Sequence, residues 1–256
     1  FRVNKYTALA LKAQFCLFEG TFRKYHEGQS TLKTLPADAA SADFYLQEAA
    51  NAAKAIMDSG KYSLYSTGKP NQDYRDLFVQ ENCEGINEFI FAIKFDYGLA
   101  IFHNGTAYGL LPSQGRIGAT RKFIDSYLMK DGSRFTAIPG YDKMQFAEQV
   151  ANRDPRLAQS FRTPGYTRID GTDILAPDLS SCCTGYQTIK WVMSCKANGG
   201  DSDRVDRSTS DLPVYRYAEI LLIYAEAMAE LGKADQTVLN QTVNLLRKRV
   251  GMPSLT

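Results

Sequence analysis

Long hydrophobic runs and recognisable catalytic motifs are both missing from this sequence. The longest apolar block of its C-terminal region, ILLIYA at 220–225, is much shorter than the roughly 18 to 20 residues that span a bilayer. There is no HExxH pair, no glycine-rich phosphate loop and no GxSxG elbow, and histidine occurs only at His26 and His103. The pattern therefore excludes a membrane-spanning helix and gives no sign of an enzyme.

Charge and cysteine content exclude further classes of protein. Basic residues number 30 and acidic residues 28, so the formal charge of +2 gives no field that would recruit nucleic acid or an anionic membrane. The five cysteines are odd in number and form no CxxC pair, so neither a disulfide framework nor a zinc site is predicted. Cys16 is expected in a core, and Cys182 and Cys183 could pair with Cys195 or each other, although free thiols are preferred. No metal or cofactor is predicted.

The stretch from Leu212 to Pro253 predicts two helices joined by a short turn. Between Tyr215 and Leu231 nearly every position is apolar or small, so most of this helix is expected to be buried, and Gly232 is placed to end it. The following helix has an apolar stripe formed by Leu239, Val243, Leu246 and Val250. The pattern predicts an antiparallel helical hairpin over about 215–250.

The N-terminal part predicts another helical hairpin, over about 4–59. Residues 4–26 are amphipathic, and Gly20 among them indicates close approach by a neighbouring helix. A polar loop containing Pro36 leads to a helix from Ala42 to about 59, with Ser41 as its cap. The predicted fold class is mainly α, with tetratricopeptide-like helical hairpins that form an α-α superhelical scaffold.

Residues 61–211 predict a loop-rich insert between the hairpins. Short strands are predicted at 87–94 and 186–193, and short helices at 120–130 and 143–151. Long irregular loops inside a compact domain often carry function, so we expect recognition residues in this insert rather than on the helices.

Two loop regions, 97–108 and 161–186, mix aromatic and polar side chains as a carbohydrate site does. The candidate ligand-binding residues in and just after them are Tyr97, His103, Asn104, Tyr108, Tyr166, Arg168, Tyr186 and Trp191. Ordinary loop packing is the alternative, and it is the preferred interpretation of both regions. A core role is preferred for Trp191, which shares the apolar side of the predicted strand with Ile189 and Met193.

The carboxylates suggest no catalysis. Glu219, Glu226 and Glu230 lie on one stripe of a scaffold helix, and we interpret them as ion-pair partners of Arg216 and neighbouring basic residues. Asp201, Asp203, Asp206 and Asp211 have the oxygen density of a calcium loop but not its glycine, because Asp206 stands at the sixth position. A solvated loop is the preferred interpretation.

Four segments, in order along the chain, resemble the SusD/RagB family of outer-membrane nutrient-binding lipoproteins. They are NKYTALALKAQFCLFEGTFRKYH at the start, FIDSYLMKDG at 123–132, NRDPRL at 152–157, and LPVYRYAEILLIYAEAMAELG with NLLRKRVGMP near the end. The resemblance extends from about Asn4 to Pro253. Family members begin with a lipid-modified cysteine and continue further at the C-terminus, so we expect this chain to be a single SusD-like domain without its N-terminal and C-terminal parts.

The resemblance implies a non-catalytic, cell-surface protein that captures glycans or other nutrients. It implies a SusC-like TonB-dependent transporter as partner, and an outer-membrane location with a lipid anchor on an N-terminal cysteine. A helical-repeat adaptor that binds a protein partner is the alternative, because two helical hairpins could form a concave groove. A glycan-processing enzyme ranks last, since no reactive groups are assembled in the sequence.

Overall fold

The computed structural model describes residues 3–26 and 41–256, so the loop predicted around Pro36 lies outside the described residues. The helices are α1 (Lys5–His26), α2 (Ala42–Met57), α3 (Asp73–Asp76), α4 (Gly105–Leu110), α5 (Arg121–Asp125), α6 (Phe146–Val150), α7 (Pro155–Ala158), α8 (Tyr217–Glu230), α9 (Gln236–Gln241) and α10 (Val243–Arg249). The strands are β1 (Phe89–Ile93) and β2 (Leu212–Arg216). This mainly helical architecture confirms the predicted fold class.

The long helices α1, α2 and α8 pack on one another and form the scaffold. The buried residues they share are Ala10, Ala13, Cys16, Leu17, Leu46, Ala49, Ala50, Ala52, Ala53, Ile56, Ile220, Ile223 and Ala227. So many small side chains let the helices approach closely. A Cβ at Gly20 would lie 2.8 Å from Leu46 Cγ on α2, which confirms the predicted close approach. Ser41 Oγ accepts a hydrogen bond from the Phe44 amide at 3.1 Å, as predicted for the cap.

One face of α1 remains uncovered by the described residues. It carries Leu11, Phe15, Phe18, Phe22 and Tyr25, at alternating spacings of four and three that place them in one row. All except Phe22 are more than half exposed. We call this row the α1 stripe.

The hairpin predicted over about 215–250 differs from the structure in both of its helices. Residues 212–216 form strand β2, so the helix begins at Tyr217. The following helix is broken at Thr242, which has φ −133° and ψ −94° and separates α9 from α10. Helix α8 packs mainly on α2, and it meets α10 only near its start, through Ala218, Leu221 and Leu246.

Strand β1 lies within the predicted range 87–94 and pairs antiparallel with β2. Burial does not alternate along β1, because Ile93 is 50% exposed while Ile90 is buried against the scaffold helices. Register shifts between Phe89 and Ala92 interrupt the simple alternation of faces. The pair of strands joins the start of α8 to the loop-rich part of the chain.

Glu88, just before β1, is the fully buried carboxylate that holds this junction together. It accepts hydrogen bonds from Arg216 at 2.8 Å, from Arg249 at 2.9 Å, and from the Tyr65 amide at 2.6 Å. Arg216 was predicted to pair with the carboxylates of its own helix, but its ion-pair partner is Glu88, which was not predicted. Among the predicted partners, Glu219 accepts from Gln14 and Glu230 pairs with Lys24 on α1.

The strand predicted at 186–193 is wrong, as are the helix lengths predicted in the insert. Only Gln187 and Thr188 make isolated bridges, to Gly118 and Phe161, before the chain turns at 190–191. Helix α5 ends at Asp125, and the backbone beyond it forms isolated bridges instead, from Leu128 to Arg134 and from Met129 to Arg153. The helix predicted at 143–151 is the shorter α6.

All five cysteines are free thiols, and Cys16 is buried as expected. Burial, together with the nearby Asp211 carboxylate, raises the pKa of the Cys83 thiol to about 12, so this group is unreactive at neutral pH. Within residues 3–26 and 41–256 no helix has both the length and the apolar character needed to cross a membrane.

Candidate functional site

The loop after β1 folds back on itself and presents Tyr97 at its tip. Asp96 and Ile101 exchange two backbone hydrogen bonds of 3.0 Å, which close a tight turn. Ala100 adopts a left-handed φ of 55° inside that turn. Tyr97 is 46% exposed, so the turn holds an aromatic side chain open to solvent.

His103 fastens this loop to the segment that precedes β2. Its backbone exchanges hydrogen bonds with Ser208 at 3.0 and 3.1 Å. Its ring Nε2–H donates to the Ser210 carbonyl at 2.8 Å, and its Nδ1 accepts from the Gly105 amide at 2.9 Å. Burial lowers the pKa of His103, which favours the neutral ring that these two contacts require. With both nitrogens engaged, His103 holds the loop and has no ring nitrogen left for a ligand.

Asn104 also holds the loop in place, through two hydrogen bonds with Asp206. Its Nδ2 donates to Asp206 Oδ1 at 2.7 Å, and its Oδ1 accepts from the Asp206 amide. Asp206 has a φ of 54°, so this two-bond contact holds a backbone conformation that few non-glycine residues adopt. The side-chain nitrogen and oxygen of Asn104 therefore already have hydrogen-bond partners within the protein.

Asp201 connects the tip of the loop to two arginines. It accepts from the Tyr97 hydroxyl at 3.2 Å and from Arg207 Nε at 3.1 Å, and it forms an ion pair with Arg204 at 3.1 Å. The Arg207 guanidinium lies 5.0 Å from the centre of the Phe102 ring, and Tyr97 meets that ring edge-on at 5.6 Å. We call Tyr97, Phe102, Asp201, Arg204 and Arg207 the Tyr97 surface.

Arg168 also binds the segment 201–207, through hydrogen bonds to Asp203. Both of its terminal nitrogens donate to Asp203, at 3.0 and 2.8 Å, and one also reaches the Met193 carbonyl. Burial alone lowers the pKa of Arg168, but the Asp203 carboxylate outweighs it and raises the pKa overall. Arg168, a predicted ligand contact, is therefore a buried support for the surface.

The interpretation of the four aspartates as a solvated loop is corrected by these contacts. Asp201, Asp203 and Asp206 each accept a hydrogen bond from a side chain. Asp211 is buried and accepts from the amides of Cys83 and Phe95, at 2.9 and 3.1 Å. These carboxylates fix loops, and among the residues that the structure describes no cluster of His, Cys, Asp or Glu could hold a metal ion.

Three other predicted residues lie in packed surroundings. Tyr166 is 6% exposed, with the guanidinium of Arg75 4.9 Å from its ring centre. Tyr186 is buried in the cluster that contains Ile124, Leu157 and Phe161. Trp191 packs edge-on against Phe78 at 5.1 Å, in agreement with its preferred core role. Little ring surface of Tyr166 or Tyr186 is open to a sugar, so neither is retained in the candidate site.

Tyr108 is 45% exposed on α4, outside the Tyr97 surface. Of the predicted residues, the structure brings Tyr97, His103, Asn104 and Arg168 into hydrogen bonds with one segment, 201–210, whereas Tyr108, Tyr166, Tyr186 and Trp191 are not part of the Tyr97 surface. Asp201, Arg204 and Arg207 were missed. The alternation of acidic and basic residues in DSDRVDR at 201–207 is the signal that could have pointed to them.

The Tyr97 surface combines what carbohydrate recognition requires. An exposed aromatic ring offers an apolar face to sugar C–H groups, and a carboxylate and two guanidinium groups offer acceptors and donors to hydroxyls. The Asp201 carboxylate is engaged by Tyr97, Arg204 and Arg207, and this chemistry suits binding.

The fold is shared with solved structures of SusD-like proteins. A SusD-like protein from Bacteroides fragilis NCTC 9343 has a TM-score of 0.68 at 20% identity, over 100% of this chain and 48% of that one. A SusD-like carbohydrate-binding protein from the same organism gives 0.62 at 22% identity, over 95% and 51%. A structure with a xylogluco-oligosaccharide gives 0.61 at 15% identity, over 99% and 45%. At these identities the likeness shows the fold alone, and the chain spans about half the length of the structures it matches.

Sequence comparison identifies the family directly. No curated protein matches the chain. The family model described as the SusD family matches residues 38–256. The match includes the segments at 123–132, at 152–157 and near the C-terminus on which the resemblance was based, whereas α1 precedes it. The chain belongs to the SusD family.

Proposed function

We propose that this chain is the core of a non-catalytic protein that captures polysaccharides or oligosaccharides at the cell surface. In this proposal a lipid on an N-terminal cysteine anchors the protein to the outer membrane. The captured glycan then passes to a SusC-like TonB-dependent transporter.

One observation carries the proposal: a SusD-family scaffold holds the exposed Tyr97 ring beside Asp201, Arg204 and Arg207. The two loops that meet there come from opposite ends of the insert and are joined by the His103 and Asn104 contacts. Support also comes from relatives of the same fold, one described as carbohydrate-binding and one solved with an oligosaccharide.

Affinity gels and calorimetry on the natural full-length protein against a panel of polysaccharides test this function. We expect retention by at least one polymer, with no product released from the labelled glycan. Tyr97→Ala is expected to weaken binding about tenfold, because removing an aromatic contact costs on the order of 1 to 2 kcal/mol.

Tyr25→Ala is the matched control, since Tyr25 is a similarly exposed tyrosine on α1, away from the insert. It should leave glycan binding unchanged. Failure of every polymer to be retained would count against glycan capture. Unchanged binding by Tyr97→Ala would reject the Tyr97 surface but not the function.

The adaptor alternative is favoured by one observation, the uncovered α1 stripe. Large apolar side chains in a single row suit a partner helix. A direct complex with a cytosolic protein, lost when Phe15 and Phe18 are replaced by serine, would favour the adaptor over glycan capture.

A further inference from the structure

A cleft of about 600 Å3 opens between α5 and the short turns at 135–137 and 141–143. None of the candidate ligand-binding residues predicted from the sequence lies in it. Its lining residues are Arg121, Lys122, Asp125, Ser126, Leu128, Arg134, Phe135, Thr136 and Tyr141. The cleft is large enough for a sugar ring with its substituents.

Positive charge dominates this cleft. Three cationic side chains, Arg121, Lys122 and Arg134, face one carboxylate, Asp125. Arg121 already has partners, since its Nη2 donates to the Tyr141 carbonyl at 3.1 Å and its Nε lies 3.6 Å from Asp125. Within residues 3–26 and 41–256, Lys122 and Arg134 have neither an ion pair nor a side-chain hydrogen bond. Two uncompensated cations therefore line one concave site.

The rest of the lining suits a carbohydrate. Phe135 is buried, with the Arg153 guanidinium 3.8 Å from its ring centre, so the floor is rigid. Tyr141 packs edge-on against Phe135 at 5.6 Å and forms a half-buried aromatic wall. Ser126 and Thr136 are exposed at the rim. The Ser126 hydroxyl donates to the Phe123 carbonyl at 2.6 Å and can still accept from a sugar hydroxyl, and the Thr136 hydroxyl can donate or accept.

We propose that this cleft binds an acidic sugar residue of the captured glycan, through a carboxylate or sulfate group placed between Lys122 and Arg134. Guanidinium and ammonium groups make their strongest hydrogen bonds with such anions, and Arg134 can bind one with two parallel bonds. A neutral sugar would leave both cations without an anionic partner. The inference rests on the proposed glycan capture and assigns the ligand a charge.

Three galactose-based polymers test it on the natural full-length protein: neutral galactan, polygalacturonate with carboxylates, and carrageenan with sulfates. We expect an acidic polymer to bind more tightly than galactan. The double variant Lys122→Ala, Arg134→Ala should weaken acidic binding at least tenfold, because it removes both charged hydrogen-bond donors that face the anion. Which acidic polymer responds distinguishes carboxylate from sulfate recognition.

Lys5→Ala is the control for net charge, because Lys5 is an exposed cation at the start of α1. It should leave acidic binding unchanged. Both cleft side chains are exposed, so the double variant should keep the wild-type melting temperature. Binding of neutral polymers without any preference for acidic ones overturns the inference and leaves glycan capture standing, as does acidic binding that the double variant retains. Retention of none of the three overturns the inference, whereas glycan capture itself fails only when the wider polysaccharide panel is also not retained.

Discussion

At the level of single residues, Glu88 contributes more to the stability of the fold than its place in a polar segment suggests. It lies in the polar segment before β1, yet it is fully buried between Arg216 at the end of β2 and Arg249 at the end of α10. Burying one carboxylate with two guanidinium groups is costly, and the cost is offset only while all the hydrogen bonds are made. Three parts of the chain that are distant in sequence therefore depend on one side chain.

Glu88→Gln is expected to lower the free energy of unfolding by about 3 to 5 kcal/mol. The amide keeps the shape of the carboxylate but leaves the buried Arg249 without a counter-charge. Urea unfolding followed by circular dichroism measures the change. Glu226→Gln, the same substitution at an exposed position of α8, should change stability by less than about 0.5 kcal/mol. Equal effects of the two substitutions would contradict a central role for Glu88.

Asp73 gives the molecule a defined sensitivity to acid. Burial of its carboxylate raises the pKa, but hydrogen bonds from Ser66, Thr67 and Lys69 outweigh burial and lower the pKa overall. A carboxyl group whose pKa is lower in the folded state stabilises the fold above its unfolded pKa, near 4 for aspartate. That stabilisation is lost as the pH falls through the folded pKa.

Asp73→Asn should therefore be less stable than the wild type at pH 7, and the difference should shrink as the pH falls below about 4. Urea unfolding of both proteins between pH 7 and pH 3 measures the difference directly, so contributions from other carboxylates cancel. Asp173→Asn, at an exposed position, should follow the wild type throughout. A wild-type advantage that grows in acid would refute the argument.

At the level of elements, the contact between α1 and α2 depends on the missing side chain of Gly20. Helix propensity alone predicts that Gly20→Ala stabilises α1 by about 1 kcal/mol. The added methyl would instead lie 2.9 Å from Leu46 Cδ2 and 3.0 Å from its backbone amide nitrogen, and overpacking costs typically 1 to 3 kcal/mol. We expect a lower melting temperature, measured by calorimetry. A higher one would mean that the two helices can separate slightly without loss.

Elements were predictable where local pattern and tertiary packing agree. Helix α8 is apolar on nearly every face and ends before Gly232, so its pattern allowed few alternatives. Residues 212–216 look like the start of the same helix, but β1 pairs with them and makes them a strand. The stretch after Tyr186 has strand-like residues, yet most of it finds no partner strand, and Ile189, Val192 and Met193 are buried irregularly around a turn. In both cases the backbone conformation depends on whether the segment meets a partner strand that is distant in sequence.

The candidate site was predictable only in part, for a similar reason. Tyr97 stood out as an aromatic residue in a glycine-rich loop. Asp201 could not be connected to it, because the contact joins segments separated by most of the insert. Tyr166 and Arg168 had the right chemistry for a ligand, but Tyr166 is buried beside Arg75, and Arg168 forms an ion pair with Asp203. The charged cleft beside α5 could not be predicted from the sequence, because its cationic side chains come from two separate segments that only the fold brings together.

At the level of the whole molecule, the α1 stripe predicts how residues 1–256 behave when expressed alone. A row of exposed large apolar side chains promotes association in water. We expect concentration-dependent self-association in analytical ultracentrifugation. The double variant Phe15→Lys, Phe18→Lys should shift the chain to the monomer, because charges at the centre of the row oppose burial.

Phe123→Lys is the control, since Phe123 is 51% exposed on α5, outside the stripe. It should associate like the wild type. A wild-type chain that stays monomeric at high concentration would show that exposed apolar side chains on α1 are tolerated in water.

The hydrogen bonds and ion pairs that hold the loops around the Tyr97 surface have a consequence for the free energy with which a ligand would bind there. Immobilising a side chain on binding costs roughly 0.5 to 1.5 kcal/mol, and ordering a loop costs more. Here Asp201, Asp203 and Asp211 restrain the loops through contacts that involve no ligand. Under the proposed glycan capture, a sugar that reaches Tyr97 would meet a preorganised surface, so more of its contact energy would be retained as affinity. Such binding would require no folding step.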